Sequence, residues 1–256
     1  MLKNYLIVAL RHFKKHKLFA AINMLCLAIG ITFSMVIGVY VLNQEAINSN
    51  LGDVNNQYFL KTIFKQKDLG LDIVSVSPLA KAAKEAYPTL VENYYRYNPV
   101  TNVVSSGDKH FKEDIAIGDT TLVSMYNFPL VYGNSKQAFI NNNAAVITES
   151  FAVKLFGTKN AIGKPLSIQT TVAGIEDNYI VSAVLKDIPY NSVTGVIQGN
   201  YSVYIPTSGS RFFSGGDPSE GWDNLNELSF LKLKPGVDAK TVIPLLNGMI
   251  RKYSSD

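Results

Sequence analysis

One cysteine and three histidines are all that 256 residues offer to disulfide or soft-metal chemistry. Cys26 lies inside an apolar run, so there is neither a disulfide framework nor a zinc-type ligand set. His12 and His16 sit in a basic tail and His110 stands beside Lys109. None has the H-E-x-x-H spacing, and all three are expected to be solvated or interfacial. A G-x-S-x-G elbow, a C-x-x-C pair and a calcium loop are also missing. The adjacent acids Glu113 and Asp114, and Glu176 and Asp177, fall on strand or turn segments and therefore point apart. They read as solvated surface acids, not as a hydrolytic pair. No enzyme is expected, and no catalytic, cofactor-binding or metal-binding residue.

Acid is absent from residues 1–17, which hold Lys3, Arg11, Lys14, Lys15 and Lys17. Beyond them nineteen basic residues face twenty acidic ones, so the formal charge of +4 belongs to the tail. No nucleic-acid partner is expected, because no basic patch with interleaved aromatics follows. Charge of either sign then disappears altogether: Leu18 to Leu42 reads LFAAINMLCLAIGITFSMVIGVYVL. As a helix it would be roughly 37 Å long, enough to cross a hydrocarbon core of about 30 Å. A cleaved signal has a shorter apolar region and a small-residue cleavage site. A lipoprotein signal needs a small residue before its cysteine, where Leu25 stands. The run therefore predicts an uncleaved transmembrane helix over 18–42.

Five basic residues precede this helix and none occurs in 43–56, so the positive-inside rule places the N-terminus in the cytoplasm and residues 43–256 outside. Within the tail, Leu2, Tyr5, Leu6, Ala9, Leu10 and Phe13 keep helical spacing. Segment 1–17 is thus expected to lie in the inner-leaflet interface, with Lys3, Tyr5, Arg11, Lys14, Lys15 and Lys17 meeting lipid. Gly30, Ser34 and Gly38, with Ala28, would let another helix approach closely, although glycine is also common in membrane helices generally.

A possible phosphate cradle, 155-LFGTKNAIGKPL-166, fails on spacing. A P-loop keeps four residues between its first glycine and Gly-Lys and follows with Ser or Thr. Here five residues separate Gly157 from Gly163, and Pro165 follows Lys164. The preceding 149-ESFAVKLF-156 reads as a helix that Gly157 would cap.

The remainder is mixed. Strands are expected at 57–66, near 94–104, and around 111–119, 144–149, 165–175, 178–188 and 227–236. Helices are expected at 78–90, with Ser77 as N-cap and Pro78 at the first position, and at 238–254. This gives an α+β protein: one N-terminal transmembrane helix, then a domain over 43–256 made of β-α-β units (about 57–104 and 225–256) with an inserted strand-rich part (about 105–200). The second β-α pair is expected to lack a closing strand within the chain, leaving an open sheet edge.

The order of 1-MLKNYLIVALRHFKKHKLFAAINMLCLAIGI-31, 77-SPLAKAAKEAYP-88, 123-VSMYNFPLVYGN-134, 146-VITESFAVKLFGTKNAIGKPL-166, 184-VLKDIPYNS-192 and 229-SFLKLKPGVDA-239 closely resembles the permease subunits of MacB/FtsX-type ABC transporters. The VITES...LFG...AIGK run and the DIPYNS turn carry most of it, with Phe156, Gly157, Gly163, Lys164, Asp187, Pro189, Asn191 and Ser192 as structural motif residues. The resemblance implies a bacterial inner-membrane protein with a periplasmic core domain. It also implies a cytoplasmic ABC ATPase partner, a second permease copy, a periplasmic or outer-membrane partner, and no cofactor. Such a subunit relays motion from the ATPase to the periplasmic domain, for export or envelope processes. Many relatives carry a segment like DELSYDRFH where this chain has NQEAINSNLGD, and they continue into three further helices, which are absent here. The alternative is a single-pass anchored binding or scaffold module.

Overall fold

The computed structural model describes residues 5, 11, 12, 14–45, 48, 51, 53–63, 73–169, 176–188, 192, 200–212, 218–225 and 227–254. Contacts divide the chain into Met1–Ser49 and Asn50–Asp256, taken separately below.

The first unit is dominated by helix α1, Lys17–Glu45. Its stretch Lys17–Gln44 is long and apolar enough to cross a membrane, the only such helix among the described residues, and none of it is buried within the chain. Two hydroxyls inside it bond back to the helix: Thr32 Oγ1 donates to the Ala28 carbonyl (2.8 Å) and Ser34 Oγ to that of Gly30 (2.9 Å).

The second unit is strand-rich. In chain order it contains β1 (Gln57–Leu60), α2 (Leu79–Ala86), β2 (Val91–Ser106), β3 (Lys109–Gly118), α3 (Leu122–Tyr126), β4 (Leu130–Tyr132) and β5 (Ala144–Thr148). There follow α4 (Glu149–Phe156), β6 (Pro165–Gln169), β7 (Glu176–Leu185), β8 (Val203–Pro206), β9 (Leu228–Leu233) and α5 (Ala239–Tyr253). The sheet runs β1-β9-β2-β3-β8-β5-β7-β4, with β6 bridging β2 and β7.

Strand β2 organises this sheet because it is long enough to serve several partners. Its first half pairs with β9, its second half forms a hairpin with β3, and Val104 and Ser105 near its end pair with β6. The hairpin turns on Gly107 and Asp108, with Gly107 at φ 57°, a conformation that glycine supplies without steric cost at the first position of a type II′ turn. Pro99 lies between the last β9 partner at Tyr97 and the first β6 partner at Val104. Among the described residues no strand pairs with that flank of β2, so a missing N–H is tolerated.

The pairings β2–β3, β3–β8, β8–β5, β5–β7, β7–β6 and β6–β2 close a ring of six strands. Alternate residues of the ring, among them Val104, Ile115, Ile117, Ile147, Val181 and Val203, bury together with Phe151, Ala152 and Leu155 of α4. The opposite residues face an aromatic core of Tyr95, Tyr97, Tyr126, Phe128, Tyr201, Tyr204 and Phe230. A third core packs α2 and α5 over β9 and the start of β2. Strands β1 and β2 are each antiparallel to β9, which lies between them. The expected β-α-β unit is therefore split by a strand from the far end of the sequence.

Local expectations change in two places. Pro78, not Ser77, occupies the N-cap of α2 without a side-chain cap; the Ser77 hydroxyl donates instead to the Asn224 carbonyl (3.0 Å). Two of the acids expected to be solvated are instead largely buried and paired. Glu113 meets Lys154 and accepts from Ser202 Oγ (2.6 Å), while Asp177 accepts from the Arg211 Nε (2.5 Å) and N–H (2.9 Å).

Candidate functional site

The motif-bearing segment is built around α4. Thr148, in extended backbone, caps its N-terminus by accepting from the Phe151 N–H (3.4 Å). Asp187 Oδ1 accepts from the Ser150 N–H (3.0 Å), so the VITES and DIPYNS motifs meet at one helix end. A carboxylate at that position also complements the helix dipole. At the other end Gly157 adopts φ 72° and its N–H donates to the Val153 carbonyl (2.8 Å), the left-handed cap expected from the sequence.

The chain then turns through Gly163 (φ 77°), whose N–H donates to the Val181 carbonyl (2.8 Å), while the Val181 N–H donates to the Lys164 carbonyl (3.0 Å). The Lys164 ammonium lies 5.3 Å from the centre of the Phe156 ring. The glycine N–H that a phosphate cradle would point at its ligand is therefore engaged by β7. Pro189 and Asn191, and the turn assigned to 189–192, lie outside the described residues apart from Ser192, which is half-buried.

A second cluster has no counterpart in the sequence reading. Arg96, 2 % exposed, donates from Nε (2.8 Å) and Nη2 (2.9 Å) to the two oxygens of Asp119, and its own N–H reaches Asp119 Oδ2 (2.9 Å). Nη1 donates to the carbonyls of Ser77 (2.9 Å) and Ser219 (2.6 Å), and Glu227 Oε2 lies 3.7 Å away. Burial alone would lower the Arg96 pKa, but the Asp119 hydrogen bonds and charge hold it above its ordinary value. The guanidinium ties the entry of α2, strand β2, the end of β3, the 218–220 turn and the approach to β9 into one clamp. With its donors so engaged, the arrangement holds backbone in place and offers no reactive group. Among the described residues, no three His, Cys, Asp or Glu side chains gather into a metal-binding group.

The family model for the MacB-like periplasmic core domain matches residues 20–247. The chain belongs to that family. Solved structures share the fold of this MacB-like chain. A domain described as part of a permease protein from Porphyromonas gingivalis aligns with TM-score 0.63 at 22% identity, covering 80% of this chain and 87% of that one. The periplasmic region of MacB from Actinobacillus actinomycetemcomitans gives 0.55 at 14%, covering 80% and 86%. The extracellular domain of the noncanonic ABC-type transporter YknZ from Gram-positive bacteria gives 0.51 at 14%, covering 76% and 94%. No curated protein matches the chain.

In the first unit of this MacB-like protein, Tyr5, Arg11, Lys14, Lys15 and Lys17 are described and exposed, whereas Lys3 lies outside the described residues. Gly30 and Ser34 line one shallow groove on α1 together with Cys26, and Gly38 follows one turn later on that face. A Cβ at Gly30 or Gly38 would meet nothing, so within the chain neither glycine is required by packing.

Proposed function

We propose that this chain is the N-terminal part of a MacB/FtsX-type permease subunit, with its N-terminus in the cytoplasm and residues 43–256 in the periplasm. In this role the chain performs no chemistry. It relays motion from a separate cytoplasmic ABC ATPase to the periplasmic domain, for export or an envelope process. Segment 1–17 lies on the inner leaflet, and helix 18–42 packs against a second permease copy through Gly30, Ser34 and Gly38. In the periplasm, the β-α-β part (57–104 with 225–256) carries the strand-rich part (105–200), which meets a periplasmic or outer-membrane partner. The observation that carries this is the family match over residues 20–247, joined to an apolar helix, Lys17–Gln44, that lies almost wholly inside the matched region.

The orientation rests on five basic residues before the helix against none in 43–56. Alkaline phosphatase fused after Asp256 is expected to be active, and a cytoplasmic reporter at the same position silent; the reverse pattern overturns the topology. Purification of the tagged chain from native membranes is expected to bring down an ABC ATPase. Its consistent absence would favour the anchored module without transport activity.

A further inference from the structure

Lys232 is a cation on a strand that is buried along its length. It sits on β9 opposite Gln57 of β1 and Asn93 of β2, and is 8 % exposed. A charge so placed needs partners, and two come from opposite directions. Asp53 Oδ2 lies 2.8 Å and Glu92 Oε1 2.9 Å from its ammonium. Glu92 is the residue passed over where the β2–β9 register slips between Val91 and Asn93, the kind of irregularity that re-aims a side chain. Asp53 belongs to the segment between the membrane helix and the sheet. It takes a left-handed backbone (φ 56°, ψ 34°) and opens the 3-10 turn Val54–Asn56 that leads into β1. Two residues earlier, Leu51 packs against the aromatic core.

The geometry points to Leu51 and Asp53–Asn56 forming a strap fastened to β9, the strand next to the sheet's end strand β1, with Asp53 on Lys232 as its clasp and Glu92 as the anchor that holds Lys232. Without the clasp, movement of the preceding helix would reach the domain at the end strand β1; with it, the load enters at β9 and β2, where α2 and α5 are packed. The strap's purpose rests on the permease reading, whereas its existence does not.

Hydrogen exchange on the full chain in detergent micelles tests it. Asp53→Asn is expected to raise exchange at the amides of 54–60 about threefold to tenfold, leaving the β5 and β7 amides at wild-type rates. High salt should raise the same amides in the wild type and add little in Asp53→Asn, because the Asp53 end of the pair is open to solvent. Lys232→Met should loosen the same segment. If it unfolds the domain instead, exposed Asp53 still decides the matter. Unchanged exchange at 54–60 in Asp53→Asn, or an equal rise at β5 and β7, overturns the clasp. Failure to recover an ATPase would sink the permease reading while leaving the exchange result intact.

Discussion

Arg96 commits four N–H donors of its guanidinium to named acceptors, and it is this economy that makes the residue vulnerable. Removing one member of a buried pair leaves an uncompensated charge and costs about 3–5 kcal/mol. Asp119→Ala is therefore expected to lower the melting temperature by roughly 10 °C, at about 2–4 °C per kcal/mol for a domain of this size. A loss of only a degree or two in thermal denaturation would show that Arg96 finds other partners. The pair could not be read from sequence, because twenty-three positions separate its members; the hairpin register that sets Tyr97 opposite Gly118 brings them together. The buried phenols make a second residue-level expectation. Burial pushes Tyr201 up to about 12 and raises Tyr95 and Tyr126 well above the ordinary value of 10. With folded values above the unfolded one, the stability they contribute is fully present below pH 10 and is lost as pH rises through the folded values, which for Tyr201 is about 12. In an alkaline absorbance titration these buried tyrosines should ionise only together with loss of circular dichroism. A single smooth titration of all tyrosines near pH 10, with the fold intact, would contradict this burial.

Helix α4 shows which elements a sequence announces and which it hides. Its residues carry the whole signal locally: Thr148 before the helix, Phe151 and Leu155 at helical spacing, Gly157 after it. By contrast α3, Leu122–Tyr126, is too short for a period to appear, and β8, Val203–Pro206, is four buried residues without alternation. Both are held by tertiary packing, with β8 secured between β3 and β5. The second cap from Asp187 was equally invisible, since nothing in the spacing of 37 residues implies contact. Thr148→Ala and Asp187→Ala are each expected to cost about 1 kcal/mol. Because both act on the same helix end, their effects should not simply add, and additive losses in denaturant titrations would mean the two caps work independently. The turn after α4 also yields an expectation about nucleotide. With the Gly163 N–H bonded to Val181 and Pro165 supplying no donor, calorimetry should detect no ATP binding. Micromolar binding abolished by Lys164→Ala would overturn the assignment of this segment as a structural turn.

At the scale of the whole domain, the sequence disclosed strands but not their closure. The ring depends on β6 reaching both β2 and β7, and on parallel contacts of β3 with β8 and β5 with β7, pairings that bring together residues tens of positions apart. The sheet is not closed everywhere. Its order begins at β1, which pairs with β9 on one side and with no other strand among the described residues. Beside that edge Tyr58, Leu60, Leu231, Leu233, Val242 and Leu246 line an apolar cavity of about 140 Å³, and Ile243 stands half exposed at its lip. An unpaired strand edge next to apolar surface favours addition of another strand, since the edge supplies backbone hydrogen bonds and the groove supplies burial. Residues 50–256 expressed alone are therefore expected to self-associate as concentration rises. A lysine at the lip should oppose this without disturbing the core, because Ile243 is exposed and its loss removes little internal packing. In sedimentation velocity Ile243→Lys should shift the population toward monomer while its melting temperature at low concentration stays close to that of the parent. Should the parent remain monomeric up to its solubility limit, the β1 edge is protected within the domain itself. Should the variant associate as strongly as the parent, another surface mediates the contact.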